Sequence, residues 1–134
     1  MGFEAFAALK YLSLETFRKS GLGVATPIWF AADPARDLES GDARLFVYTV
    51  GDSGKVKRIR NNARVRIAPC DVRGKVLGDW VEARAEIVVG GDFRYGMQLL
   101  NKKYSPWKQL LDFFAKFRPR EDAVIAITPV DARK

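Results

Sequence analysis

Apolar and polar positions along the chain switch between a period of two and a period near 3.6, and the switches mark out the elements. Tyr11 to Arg18 and Val24 to Ala31 are strand-like runs, and Ser20, Gly21, Leu22 and Gly23 between them form a turn, so the pair predicts a β-hairpin. Pro27 lies inside the second run and removes one ladder donor, which points to an edge, a bulge or a stretch facing a ligand. A polar, turn-rich loop from Asp33 to Arg44 leads to a third strand, Leu45 to Val50. Arg64 to Cys70 predicts a fourth, turned by Asp71 to Gly74, with Lys75 to Leu77 beginning the next arm. Trp80 to Val89 alternates cleanly, with Val81, Ala83, Ala85, Ile87 and Val89 on one face and Trp80, Glu82, Arg84 and Glu86 on the other. Ala123 to Thr128 is a closing strand.

Helical stretches are fewer. Phe3 to Leu9 predicts a short one, Lys55 to Asn61 another, and Asp92 caps a third that reaches Tyr104. Ser105 and Pro106 start a fourth, which lines up Trp107, Leu110, Leu111, Phe114 and Phe117. Its plain reading is packing on the barrel or at a dimer interface, ahead of a cofactor box. Hairpin-linked strands in this order predict a mainly β fold, an antiparallel β-barrel with a few helices, in one domain spanning residues 1–134.

Composition narrows the chemistry. The chain of 134 residues has no histidine and one cysteine, Cys70. Imidazole-based triads, dyads and metal sites are thereby excluded, as are disulfides within the chain and cysteine-cluster metal centres. No apolar run approaches the roughly 20 residues of a membrane span. The start lacks a basic leader, and Phe6 stands where a myristoylation signal needs Ser or Thr, so a cytoplasmic protein with no membrane partner is expected. A formal charge of +7 favours anionic partners such as a phosphorylated cofactor. Nucleic acid is not expected, because the basic residues are not interleaved with aromatics in a recognisable module.

The segment from Thr49 to Arg60 carries the most telling chemistry. A strand ends, a glycine-containing turn follows, and a helix begins near Ser53. The positive end of a helix normally attracts acidic side chains, yet here it carries Lys55, Lys57, Arg58 and Arg60. Amides, the Ser53 hydroxyl and ammonium groups together make a phosphate cradle. An ordinary N-cap with a solvated basic face is the other reading, and both stay open on the pattern. For Val24 to Phe30 the alternatives are contact with the polar edge of a planar heterocycle or a proline-protected edge strand. Tyr48 and Trp80 are either ring-stacking or core aromatics, and Cys70 has no histidine to activate it.

These segments together resemble the pyridoxamine-phosphate-oxidase-like superfamily of split β-barrel flavoproteins, and within it the deazaflavin (F420)-dependent oxidoreductases of mycobacterial type. The resemblance is carried by Lys10 to Phe17, Val24 to Phe30, Asp52 to Asn62 and Ala68 to Gly74, and by Lys103 and Tyr104 followed by Trp107. It covers almost the whole chain. It implies an FMN-binding type of split β-barrel, homodimeric, with two cofactor sites at the subunit interface. It also implies that Thr26, Pro27, Ile28, Trp29, Tyr48 and Thr49 flank the cofactor ring. Ser53, Lys55 and Lys57 match the segment that grips the phosphate, while Arg58 or Arg60 meets the anionic tail. Two departures stand out: Asn62, Ala63 and Arg64 replace the usual Asn-Pro-Arg, and the loop from Asp33 to Arg44 is long.

The expected activity is hydride transfer between coenzyme F420 and a small unsaturated organic substrate, with no metal and no designated catalytic acid or base. FMN is the alternative cofactor on the same barrel. A non-catalytic binder of flavin, haem or a tetrapyrrole is the alternative from another class.

Overall fold

The computed structural model describes residues 3–50, 53–104 and 122–130. Six antiparallel strands close a barrel: β1 (Tyr11–Phe17), β2 (Gly23–Ala32), β3 (Leu45–Val50), β4 (Arg64–Pro69), β5 (Val81–Val88) and β6 (Asp122–Pro129). Around the barrel the order is β1, β2, β3, β6, β5, β4, with β4 pairing back onto β1. A 3-10 turn (Glu4–Phe6) precedes β1, α1 (Gly54–Asn61) joins β3 to β4, and α2 (Gly90–Tyr104) joins β5 towards β6. The mainly β antiparallel barrel expected from the sequence is therefore the observed fold. The helix expected from Trp107 to Phe117 lies outside the described residues.

Alternation along each strand separates two apolar cores. Leu12, Leu14, Ile28, Phe30, Leu45, Val47, Val65, Ile67, Ala83, Ala85, Ile125 and Ile127 fill the barrel interior. Phe3 and Phe6 close one mouth, with Phe6 edge-on to Phe30 at 6.1 Å, while α1 lowers Ile59 into the other. The second core lies outside the barrel, where α2 packs Leu100 against Ala31, Phe46, Val88, Val124 and Ala126. Gly96 permits that approach, since a Cβ there would fall 2.8 Å from Phe46 and 2.9 Å from Val124.

The outer core explains where the β5 pattern departs from expectation. Val88 is buried beneath α2 and Val89 is 79% exposed, so the alternation ends one residue before Val89. Two local expectations are also corrected. Helix α2 begins at Gly90, which places Asp92 in its first turn instead of at its cap. Lys75 to Leu77 forms no strand: one bridge pairs Val76 with Cys70, and the Leu77 amide donates to the Pro69 carbonyl at 2.7 Å.

Pairing of β2 is unequal on its two sides. Against β1 it runs in register from Gly23 to Trp29, whereas against β3 it covers Phe30, Ala31 and Ala32 alone. The stretch holding Pro27 has thus parted from β3, and the proline sits where no ladder to β3 needs its missing amide.

Candidate functional site

The parted stretch of β2 opens a cleft of about 230 Å³ lined by Tyr11, Pro27, Ile28, Trp29, Tyr48 and Val72. Val72 arrives through the β4–β5 connection. The Asp71 carboxylate accepts from the amides of Arg73 and Lys75, both at 2.9 Å, and bends this loop. Gly74, at φ +92°, then lies against Pro27, its would-be Cβ 3.4 Å from the proline ring. Ile28 contributes little of its side chain, being a barrel-core residue. The aromatic groups are half-buried Tyr11, Trp29 and Tyr48, which gives the cleft flat apolar walls.

Strand β3 carries Tyr48 on its outer face and Thr49 on its inner one, and the chain then reaches the start of α1. Ser53 is the N-cap, its hydroxyl accepting from the Val56 amide at 3.3 Å. Thr49, nearly buried, donates its hydroxyl to Ser53 at 3.4 Å. No acidic residue occupies the first turn of this helix. Lys55 is half-buried, and burial together with the nearby Arg58 holds its pKa below that of an ordinary lysine. Burial, with Arg18 nearby, likewise lowers the Arg58 pKa. Arg58 turns back across Gly54 and donates to the Thr16 hydroxyl at 2.6 Å, so it is tied to the barrel end. Lys57 and Arg60 are exposed, and their side chains make no hydrogen bond or ion pair among the described residues.

Thr26 adds an unmet need. It shares the interior face of β2 with Ile28 and Phe30, and its hydroxyl is buried with no hydrogen-bond partner among the described residues. A buried hydroxyl left so costs about 1–3 kcal/mol unless something else satisfies it.

The opposite end of the cleft leads to a larger cavity of about 420 Å³. Its walls are Leu9, Lys10, Tyr11, Trp29, Lys103 and two alanines after the 3-10 turn. Tyr11 and Trp29 belong to both spaces. Lys103 is exposed as a residue, yet its ammonium donates to the Leu9 carbonyl at 2.7 Å and lies 3.8 Å from the centroid of the buried Phe30 ring. Burial of that end draws its pKa down to about 8.

In overall structure the chain superposes on split-barrel proteins. It aligns with a conserved hypothetical protein of Mycobacterium tuberculosis over 100% of this chain and 82% of that one, at 17% identity and a TM-score of 0.64. With HutZ, the heme storage protein of Vibrio cholerae, the figures are 98% and 93%, 15% identity and 0.63. With an F420 reductase they are 97% and 94%, 19% identity and 0.57. The fold is the split β-barrel. No protein-family model and no curated protein matches the sequence, so the likeness is one of architecture.

Sequence reasoning had named Pro27, Trp29, Tyr48, Thr49, Ser53 and Lys55, and the fold lines them up along β2, β3 and the start of α1. It missed Tyr11, Val72 and Arg58's bond to Thr16. Tyr11 could have been found from the hairpin register, which sets it opposite Trp29. Trp80 takes no part in the cleft and receives the Arg66 guanidinium at 5.2 Å. Cys70 is buried, and burial, with Asp71 nearby, pushes its thiol pKa up, away from a reactive thiolate. Among the described residues no group of three or more potential ligands could hold a metal, and no helix is long and apolar enough to cross a membrane.

Proposed function

We propose that this protein binds a phosphorylated flavin-type cofactor and works as an oxidoreductase, with deazaflavin F420 the first candidate and FMN the second. One observation carries the reading: a flat-walled aromatic cleft and a cation-lined helix N-terminus joined by the short segment from Tyr48 to Ser53. Such a cofactor is a planar ring connected through a chain to a phosphate. The donor set fits the phosphate, because Ser53, Lys55 and the first amides of α1 all present hydrogen to an anion. Lys55 and Arg58 crowd one another at the positive end of the helix, and an anion relieves that repulsion.

When bound, the ring supplies the hydride chemistry. The protein's own residues orient and shield it. Pro27, Trp29 and Tyr48 present apolar faces and keep water from the ring, while Ser53 and Lys55 fix the phosphate end. F420 is placed first because its tail continues beyond the phosphate as a polyanion, and Lys57 and Arg60 are exposed to meet it. A fold neighbour named F420 reductase supports this ordering, and the heme storage neighbour keeps a binding role in play. Against haem, the chain has no histidine to serve as the usual axial ligand. A homodimer belongs to the same reading, and light scattering at twice the mass of one chain checks it.

Turnover tests the enzymatic part. The protein should oxidise reduced F420 when given conjugated enals or quinones, followed through the cofactor's own absorbance. Affinity for the cofactor without oxidation by any acceptor would mark a binding protein instead.

A further inference from the structure

Gly54 is the first residue of α1, yet its backbone does not have the positive φ that would call for a glycine. Glycine weakens a helix, so the position has another reason. That reason is spatial. A Cβ on Gly54 would fall 2.7 Å from Nη1 of Arg58 and 3.4 Å from the central carbon of its guanidinium. The guanidinium thus lies across the start of the helix, in the space a side chain at position 54 would fill. From the barrel side it is held by Thr16, a fully buried residue of β1 whose hydroxyl accepts from Arg58 Nε at 2.6 Å. Nη1 and Nη2 make no hydrogen bond or ion pair among the described residues. The charges that act on Arg58 and Lys55 here are of like sign, Arg18 on the first and Arg58 on the second. An arginine tied through Nε keeps its two terminal nitrogens as a planar fork, which matches two oxygens of a phosphoryl group. Position also separates Arg58 from Arg60: the first folds back over the helix start, while the second stands exposed.

We propose that Arg58 makes the site select a phosphorylated cofactor over its phosphate-free form, with Thr16 and Gly54 as the residues that position its fork. The assignment rests on the cofactor reading above and deepens it. Arg58 belongs to the phosphate, and Arg60 is left for any anionic tail beyond it. Gly54 acts by the side chain it lacks, and Thr16 acts through Arg58 without touching the ligand.

The test is a set of fluorescence titrations of the full chain with FMN against riboflavin, and with F420 against the deazaflavin alcohol that lacks phosphate and tail. The unaltered protein should bind the phosphorylated member of at least one pair about ten-fold or more tighter. Arg58→Met and Gly54→Ala should each cut that ratio about five-fold or more, with affinity for the phosphate-free form unchanged. Gly54→Ala keeps every charge, and the atom its methyl meets is the end of a flexible side chain, so the helix should persist while the guanidinium moves. Thr16→Val should lower the ratio and Thr16→Ser, which keeps the hydroxyl, should retain it. A merely structural residue would weaken both members of a pair equally, and that result overturns the proposal. A ratio untouched by Arg58→Met and Gly54→Ala, with binding intact, sinks this inference alone. Saturable binding of none of the four compounds sinks the cofactor reading and this assignment with it.

Discussion

Replacing Lys55 by alanine should move cofactor affinity and fold stability differently, and that contrast makes it a sharp probe. Lys55 is the second residue of α1 and half-buried, with Arg58 close enough to depress its pKa. In the ligand-free chain its charge lies at the positive end of a helix dipole, which costs roughly 0.3–1 kcal/mol. Alanine removes that cost and has the better helix propensity, but it also loses the packing of the lysine stem. Stability should therefore stay within about 1 kcal/mol of the parent. Binding should suffer, because a hydrogen bond from an ammonium to a phosphate contributes about 1.5–3 kcal/mol. That range weakens Kd by about 10- to 150-fold. Fluorescence titration reads the affinity and urea unfolding reads the stability. An unchanged Kd refutes the cradle, and a stability loss as large as the binding loss shows that Lys55 is a structural residue.

Other outcomes follow from the packing and the charges. Tyr95 donates to the buried Asp33 carboxylate at 2.5 Å, so Tyr95→Phe should cost about 1.5–3 kcal/mol in urea unfolding, towards the low end because Arg44 still donates to Asp33. Burial pushes the Asp33 pKa up, but the bonds from Tyr95, the Ala35 amide and Arg44 outweigh it and leave it below the ordinary value of 3.8. The unfolded chain then binds the proton more readily, and stability should fall as pH drops through that range; a flat acid limb contradicts this. Gly96→Val should destabilise by about 1–3 kcal/mol through overpacking against Phe46 and Val124, read by thermal melting. For Lys103, burial puts the folded pKa at about 8, below the ordinary 10.5, so the folded and unfolded chains differ in charge between those values. Over the same window, up to about 10.5, the unfolded state holds the extra proton and the fold should gain stability from this group. Stability in urea that does not rise between pH 8 and about 10.5 contradicts this.

Much of this architecture was legible because its signals are local. The hairpin of β1 and β2 announces itself through the turn at Ser20 to Gly23, and β5 through its alternation from Val81 to Ile87. Ser53 as an N-cap and the basic first turn of α1 could also be read directly. What stayed hidden depends on tertiary context. The burial of Val88 needs α2 to fold over the outer face of the sheet, and nothing in the β5 pattern says that a second core lies there. Arg58 looks like Lys57 and Arg60 in sequence, yet its helical phase turns it to Thr16, a residue 42 positions away. The cavity joins the region before β1 to the end of α2, so Leu9 and Lys103 meet only once the barrel has closed.

The central claim is that the aromatic cleft and the start of α1 hold a phosphorylated flavin-type cofactor. Side-by-side fluorescence titration of the cofactor-free protein with F420 and with FMN tests it most directly. Saturable binding of at least one is predicted, with F420 the tighter and with both weakened in Lys55→Ala. Saturable binding of neither contradicts the claim, leaving the split barrel as fold and the cleft without its ligand.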